Sequence, residues 1–311
     1  MELNNLKGLG IALATPFKNP SPGDFGAGEV DMVAFRELVR RMVGGGADFL
    51  VVLGSTGEAA TVTAAERDAL VAATREEAKG LPVIVGAGSN STAIACELAA
   101  RSKASGADGI LVVTPYYNKP QATGIEAHYR AVAAAAPGLP IIVYNVPGRT
   151  GLNLLPKDLE RLWAIPEVVA VKESSGNLAQ IGEILRNIPK GKLLFSGDDA
   201  LALPAIALGA SGLISVLGNI LPTETKALVD AGLAGRRDEA KTLHARLLPV
   251  IDALFLESNP APLKAALSVA GYCSSAVRLP LANASETTRA RFVELLPAFD
   301  LGPASEAKGK R

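Results

Sequence analysis

The chain has 311 residues, 49% hydrophobic and 20% charged, which supplies a large core and excludes an intrinsically disordered protein. Lys plus Arg and Asp plus Glu each total 31, so the formal net charge is zero. That excludes bulk electrostatic attraction to nucleic acid or an anionic membrane, and points instead to a small molecule or another subunit as partner.

Taken in order, short apolar runs that end on small polar residues alternate with Ala-rich helical patterns. Strands are predicted at Gly8–Thr15, Ala47–Leu53, Pro82–Gly86, Ala107–Val113, Pro140–Tyr144, Val168–Val171, Lys192–Phe195 and Gly212–Leu217. Helices fill the gaps at Asp31–Val43, Ala64–Ala78, Thr92–Ser105, Gln121–Ala136, Pro156–Trp163, Leu178–Asn187, Ala200–Leu208 and Pro222–Ala231. Thr63 with Glu66 three residues on forms a capping box, and Asp31 is a candidate N-cap. Gly46-Ala47-Asp48, Gly106-Ala107-Asp108 and Gly209-Ala210-Ser211 repeat between a helix and the next strand, where a glycine ends the helix in a left-handed conformation.

Eight such units over residues 1–235 predict a closed (β/α)₈ TIM barrel, typically about 250 residues long. An open doubly wound sheet usually carries a glycine-rich phosphate loop after its first strand, and Thr15-Pro16-Phe17-Lys18 is no such loop. Residues Asn19–Gly28 read as a surface excursion at the top of the barrel. Residues 236–311 are predicted to form an appended helical region, with helices at Asp238–Leu256, Pro260–Ala270 and Glu286–Leu296 and a charged tail, Ala304–Arg311.

Cys96 and Cys273 read as small buried hydrophobes, which favours a reducing compartment. His128 and His244 are the only histidines, so a clustered His/Cys metal site is not available and no catalytic metal is expected. Met1–Lys7 lacks a basic segment followed by an apolar one, and no run approaches ~18 uninterrupted apolar residues. The expected location is cytoplasmic, with no membrane partner.

In such barrels the active site lies at the carboxyl ends of the strands. The run Val168–Val171 closes on Lys172, and alternation places Ala170, Lys172 and Ser174 on one face. A lysine at the end of a covered strand loses solvation of its charged form, which favours the free amine that attacks a carbonyl. The same lysine could snorkel to water or pair with Glu173. Gly54-Ser55-Thr56-Gly57-Glu58 is either an ordinary glycine-containing turn or a cradle of backbone N–H groups for a carboxylate. Tyr144, on the strand beside the lysine, suits a proton relay but could equally pack at the rim, and Arg149 could grip a carboxylate or tie down its own loop.

Together these runs resemble the dihydrodipicolinate synthase family, within the wider N-acetylneuraminate lyase superfamily of pyruvate-dependent class I aldolases. The resemblance spans nearly the whole chain. It rests on Gly54–Glu58, Thr114-Pro115-Tyr116-Tyr117-Asn118, Tyr144-Asn145-Val146-Pro147 with Arg149-Thr150-Gly151, Lys172-Glu173, Ser196-Gly197-Asp198-Asp199, Ile214-Ser215-Val216, and Asn259-Pro260 with Lys264. It implies that Lys172 condenses with pyruvate and that the enamine attacks aspartate semialdehyde. The product would be 4-hydroxy-tetrahydrodipicolinate, on the route to diaminopimelate and lysine. No cofactor is implied beyond the covalent pyruvate imine on Lys172.

By the same resemblance Tyr144 is the proton shuttle, joined by Ser55 and by Tyr117 from a neighbouring subunit. Thr56 binds the pyruvate carboxylate, Gly197 and Ile214 line the pocket with backbone groups, and Arg149 meets the semialdehyde carboxylate. A homo-oligomer is implied, a tetramer of tight dimers. Two positions depart from the pattern. Ser55 stands where the synthases usually carry threonine and the sialic acid lyases commonly carry serine, which keeps N-acetylneuraminate lyase, or a keto-deoxy-sugar aldolase, as the alternative. Ile94 and Ala64 stand where lysine-inhibited members carry a glutamate and a histidine, so feedback inhibition by lysine is expected to be weak or absent.

Overall fold

The computed structural model describes residues 6–19 and 28–301. Strands and helices alternate as β1 (Gly8–Ala12), α1 (Met32–Gly44), β2 (Phe49–Val52), α2 (Ala64–Glu77), β3 (Val83–Gly86), α3 (Thr92–Ala104), β4 (Gly109–Val113), α4 (Ala122–Ala135) and β5 (Ile141–Asn145). They continue with α5 (Pro147–Thr150), α6 (Pro156–Trp163), β6 (Val168–Glu173), α7 (Leu178–Asn187), β7 (Leu193–Ser196), α8 (Ala202–Ala207), β8 (Gly212–Ser215) and α9 (Pro222–Leu233). Every neighbouring pair of strands is parallel, and β8 returns to β1 through Gly8↔Gly212 and Gly10↔Ile214, closing the expected eight-stranded barrel.

The expected strands overran where the chain turns. Leu53 follows β2 with φ +60, and the segment after β8 winds into a 3₁₀ turn at Leu217–Asn219. Buried Asp199 holds that turn by accepting from Ser215 Oγ and from the Val216 N–H at 3.0 Å. β6, by contrast, runs past Val171 and includes Lys172 and Glu173. Local signals hold: Asp31 caps α1, the Thr63/Glu66 capping box opens α2, and Gly46, Gly106 and Gly209 all take positive φ.

The barrel interior is filled by Ala12, Phe49, Val51, Ile84, Leu111, Ile142, Ala170, Phe195 and Ile214, with Tyr144 above them. Between β5 and β6 the register passes from Ile141↔Val168 to Ile142↔Ala170, leaving Val169 as an extra residue, a β-bulge. Strict alternation would have put Val168 inside with Ala170. The bulge instead lets Val168 pack among the outer residues Ile141, Val143 and Val171 while Ala170 stays inside.

Helices α10 (Arg237–Leu254), α11 (Ala261–Val269) and α12 (Glu286–Leu295) follow the barrel. Their apolar faces share one core with Leu38, Val216, Ile220 and Leu228. Apart from Asn19 and Gly28, the predicted excursion at Asn19–Gly28 lies outside the described residues, as does the tail Ala304–Arg311. Among the described residues no helix is long and apolar enough to cross a membrane.

Candidate active site

Lys172 and Tyr144 are cross-strand partners on β6 and β5, at the carboxyl end of the barrel. Both side chains are buried, and the Lys172 Nζ sits 4.4 Å from the centroid of the Tyr144 ring. The lysine therefore neither snorkels to water nor pairs with Glu173, whose carboxylate is taken up on the opposite face of the strand by Asn145 and Ser175.

Room for the lysine comes from Gly197, just past β7. A Cβ there would stand 2.7 Å from Lys172 Cε and 2.0 Å from Ser174 Oγ, so any larger residue would displace the amine. Nothing in composition or periodicity showed this steric role, because it depends on how β6 and β7 sit side by side. The Gly197 N–H is committed to Glu173 O at 2.8 Å, which leaves its carbonyl for the pocket. Ile214 is fully buried and contributes its side chain to the barrel floor beneath Tyr144.

The turn after β2 carries Ser55, half-buried, and Thr56, buried. It is bounded by two non-glycine residues with positive φ, Leu53 at +60 and Glu58 at +51, a conformation that costs of order 1 kcal/mol or more per residue. Leu53 reaches it only because β3 ends on Gly86: a Cβ at that glycine would lie 1.9 Å from the Leu53 carbonyl oxygen. The strained turn leaves the N–H groups of Ser55 and Thr56 without a backbone carbonyl partner among the described residues. Two successive free N–H groups suit a carboxylate.

The far side of the turn is locked. Glu58 pairs with Lys264 of α11 in the interior, and Lys264 also donates to Ala276 O at 2.8 Å and lies 4.0 Å from the Phe17 ring centroid. Burial pulls the Lys264 ammonium down from the usual lysine range, against the opposing pull of Glu58.

Asn259, just before α11, completes the site from outside the barrel. Its side-chain amide donates to Thr56 Oγ1 at 3.0 Å and its carbonyl accepts from Arg149 Nη2 at 2.9 Å. Arg149 thus ties its loop and remains exposed at the rim. It is held by the single-turn helix α5, with Pro147 at its first position and Gly151 at φ +71 after its last. Hydrophobic period does not show so short a helix, although a proline at the start and a glycine past the end are its usual signal.

Three buried polar atoms around this mouth, Thr114 Oγ1, Ser174 Oγ and Asn259 Oδ1, have no hydrogen-bond partner among the described residues. Unpaired buried groups of this kind are available to a ligand or to water. Tyr117 is elsewhere. It has φ +74 and is 88% exposed, standing clear of the pocket in the single chain. The geometry thus packs Lys172 against Tyr144 and Gly197, joins Thr56 to the exposed Arg149 through Asn259, and leaves Tyr117 exposed.

A model of the Dihydrodipicolinate synthetase family matches residues 5–299. The chain belongs to the dihydrodipicolinate synthetase family. A relative from Geotalea uraniireducens named 4-hydroxy-tetrahydrodipicolinate synthase is 46% identical over 95% of this chain and 99% of its own. Among solved structures, dihydrodipicolinate synthase from Thermotoga maritima superposes with a TM-score of 0.89 at 39% identity, covering 94% of this chain and 98% of that one. A structure described as the first monomeric dihydrodipicolinate synthase variant gives a TM-score of 0.91 at 39% identity, covering 96% and 98%. The (β/α)₈ barrel with its C-terminal helices is the architecture this chain shares with those family members.

Proposed function

We propose that the chain is a 4-hydroxy-tetrahydrodipicolinate synthase, a class I aldolase-type lyase that condenses pyruvate with L-aspartate 4-semialdehyde in diaminopimelate and lysine biosynthesis. The observation that carries this reading is the buried Lys172 amine against the Tyr144 ring, in a mouth where Thr56 and Arg149 are joined through one residue. The Lys172 amine adds to the pyruvate carbonyl, one proton is taken up through Tyr144 and water leaves, giving a cationic imine on the lysine. The N–H groups of Ser55 and Thr56, with the Thr56 hydroxyl, hold the pyruvate carboxylate. Loss of a methyl proton, carried by Tyr144, gives the enamine that attacks the aldehyde. Phenol and hydroxyl can each donate and accept, as this relay requires. Arg149 grips the semialdehyde carboxylate, and the amine of that substrate then displaces Lys172 from the imine, closing the ring.

The same reading assigns Tyr117 to a neighbouring subunit's relay, which makes the working form a homo-oligomer, a tetramer of tight dimers. Tyr117, Tyr116 and Ile94 expose apolar surface in that part of the chain, as a subunit contact requires. Sedimentation giving a fully active monomer at assay concentration would refute that part. Ser55 is the one residue that favours the lyase alternative.

The test is covalent trapping. Pyruvate with borohydride should add one reduced pyruvoyl group at Lys172, detected by mass spectrometry, and none in Lys172→Ala. Arg149→Ala should keep the trapping but lose at least about tenfold in turnover with the semialdehyde, roughly 1.4 kcal/mol. Label on another lysine sinks the Schiff-base reading. Faster cleavage of N-acetylneuraminate than consumption of the semialdehyde passes the assignment to the lyase.

A further inference from the structure

The pairing of β5 with β6 sets two residue pairs back to back. Tyr144↔Lys172 faces the barrel interior, and the next pair along, Asn145↔Glu173, faces the helical layer at α6 and α7. Glu173 is 1% exposed, yet no lysine, arginine or histidine pairs with it among the described residues. Its Oε2 accepts from Asn145 Nδ2 at 2.9 Å, and its Oε1 accepts from the Ser175 N–H at 2.7 Å and from Gln180 Nε2 at 3.5 Å. Asn145 is itself fixed on both sides, accepting from the Leu154 N–H at 2.9 Å and donating to Asn153 Oδ1 at 2.9 Å.

Asn145, Gln180 and the Ser175 N–H all donate to the carboxyl, and the Ser175 hydroxyl hydrogen-bonds it as well. Burial pushes this carboxyl up from the usual range, and these hydrogen bonds oppose the shift by favouring the charged form. A buried anion without a cation is costly and calls for a reason. The reason is one residue away along β6, where a cation forms on Lys172 when it becomes an imine.

We propose that Glu173 is a positioning residue for Lys172. Through Asn145 it clamps β5 to β6 at the level of the reacting pair, so that amine and phenol keep their separation, and its charge favours the cationic imine. This rests on the Schiff-base reading above. A purely structural Glu173 would cap the turn into α7 through Ser175 and contribute to stability alone.

The two roles separate in the trapping experiment on the full-length protein, with pyruvate and borohydride as probes. Glu173→Gln keeps the shape and removes the charge. Its trapping rate per folded molecule at saturating pyruvate should fall at least tenfold, while half-saturation by pyruvate, set by the Ser55/Thr56 turn, moves less than threefold. The double variant Asn145→Asp with Glu173→Gln returns a carboxylate and its donor to the pair in reversed order, and should recover at least a third of the wild-type rate. If Glu173→Gln does not yield folded protein, Asn145→Ala, which keeps the carboxylate but removes the strand-crossing bond, carries the test with the same expected loss. Wild-type trapping in the folded single variant, with any loss confined to Tm, overturns the proposal, as does a double variant no faster than Glu173→Gln. Failure to label Lys172 in the wild-type chain instead overturns the Schiff-base reading itself.

Discussion

Asn259 donates its side-chain amide to Thr56 Oγ1 at 3.0 Å, and so a residue that follows the whole barrel in sequence holds the hydroxyl proposed to bind the pyruvate carboxylate. Its main-chain carbonyl also accepts from Arg149, so the two proposed carboxylate-binding residues meet at one support. Asn259→Ala removes the amide that holds Thr56 and keeps the main-chain carbonyl that holds Arg149, so kcat/KM for pyruvate should fall by about tenfold and that for the semialdehyde by less, since misplacement by about an ångström costs up to 10²-fold. Asn259→Asp leaves a charge where a neutral donor stood and should do worse against two anionic substrates. A coupled steady-state assay in which Asn259→Ala stays within twofold of wild type would remove the bridge from the site.

Gly197→Ala asks only for one methyl group, but that methyl falls among Lys172 Cε, Lys172 Cγ and Ser174 Oγ. The backbone at this residue is not left-handed, so alanine is tolerated there by the chain and rejected by the lysine. Turnover should drop by about 10²-fold, on the order of 2.7 kcal/mol of transition-state stabilisation, with little change in Tm. Trapping at the wild-type rate would mean that the lysine reaches pyruvate from another rotamer.

Acid should loosen the strap between α2 and the segment after α11. Arg278 grips Glu66 with both terminal guanidinium nitrogens, Nη1 at 2.8 Å and Nη2 at 2.5 Å, and the Thr63 N–H adds a third bond at 2.9 Å. The Arg278 hydrogen bond is the main reason the Glu66 carboxyl drops to about 2 in the folded chain, from 4.5 when free. A depressed carboxyl stabilises the fold at pH above its unfolded value and loses that contribution as pH falls through its folded one. The gap in Tm between wild type and Glu66→Gln should therefore be full at pH 6 and shrink between about 4.5 and 2. A gap that stays constant over that window would assign the effect to packing.

Ile94 lies half-exposed on α3 and offers apolar surface where lysine-inhibited members of the family carry a carboxylate. An ammonium group needs an anionic or polar partner to leave water. Calorimetric titration with lysine should give weak binding or none, and Ile94→Glu should shift the enzyme towards inhibition. Tight binding by the unaltered chain would contradict the expectation.

Much of this molecule was legible from local pattern. Periodicity located all eight strands and, apart from the single-turn α5, the helices between them, and Pro156–Trp163 and Leu178–Asn187 begin and end where predicted. Lys172 was visible because it ends an apolar run where a small residue is usual. Strand ends were less legible. Whether a strand continues depends on its neighbour, as Leu53 shows by turning where Gly86 makes space.

Sequence by itself therefore determined the elements and their order, because each follows from hydrophobic period, capping chemistry and turn residues within a few positions, and it singled out Lys172 as a candidate whose reacting role came from the family resemblance. Only the tertiary structure decided what surrounds that lysine. The Val169 bulge sets which faces of β6 turn inward, Gly197 makes room across β7, Asn259 arrives from 203 positions away to hold Thr56, and Glu173 turns from its neighbour to Asn145 on the next strand. Each of these is a contact across strands or between the barrel and its C-terminal helices, fixed by register and packing, which no local pattern encodes.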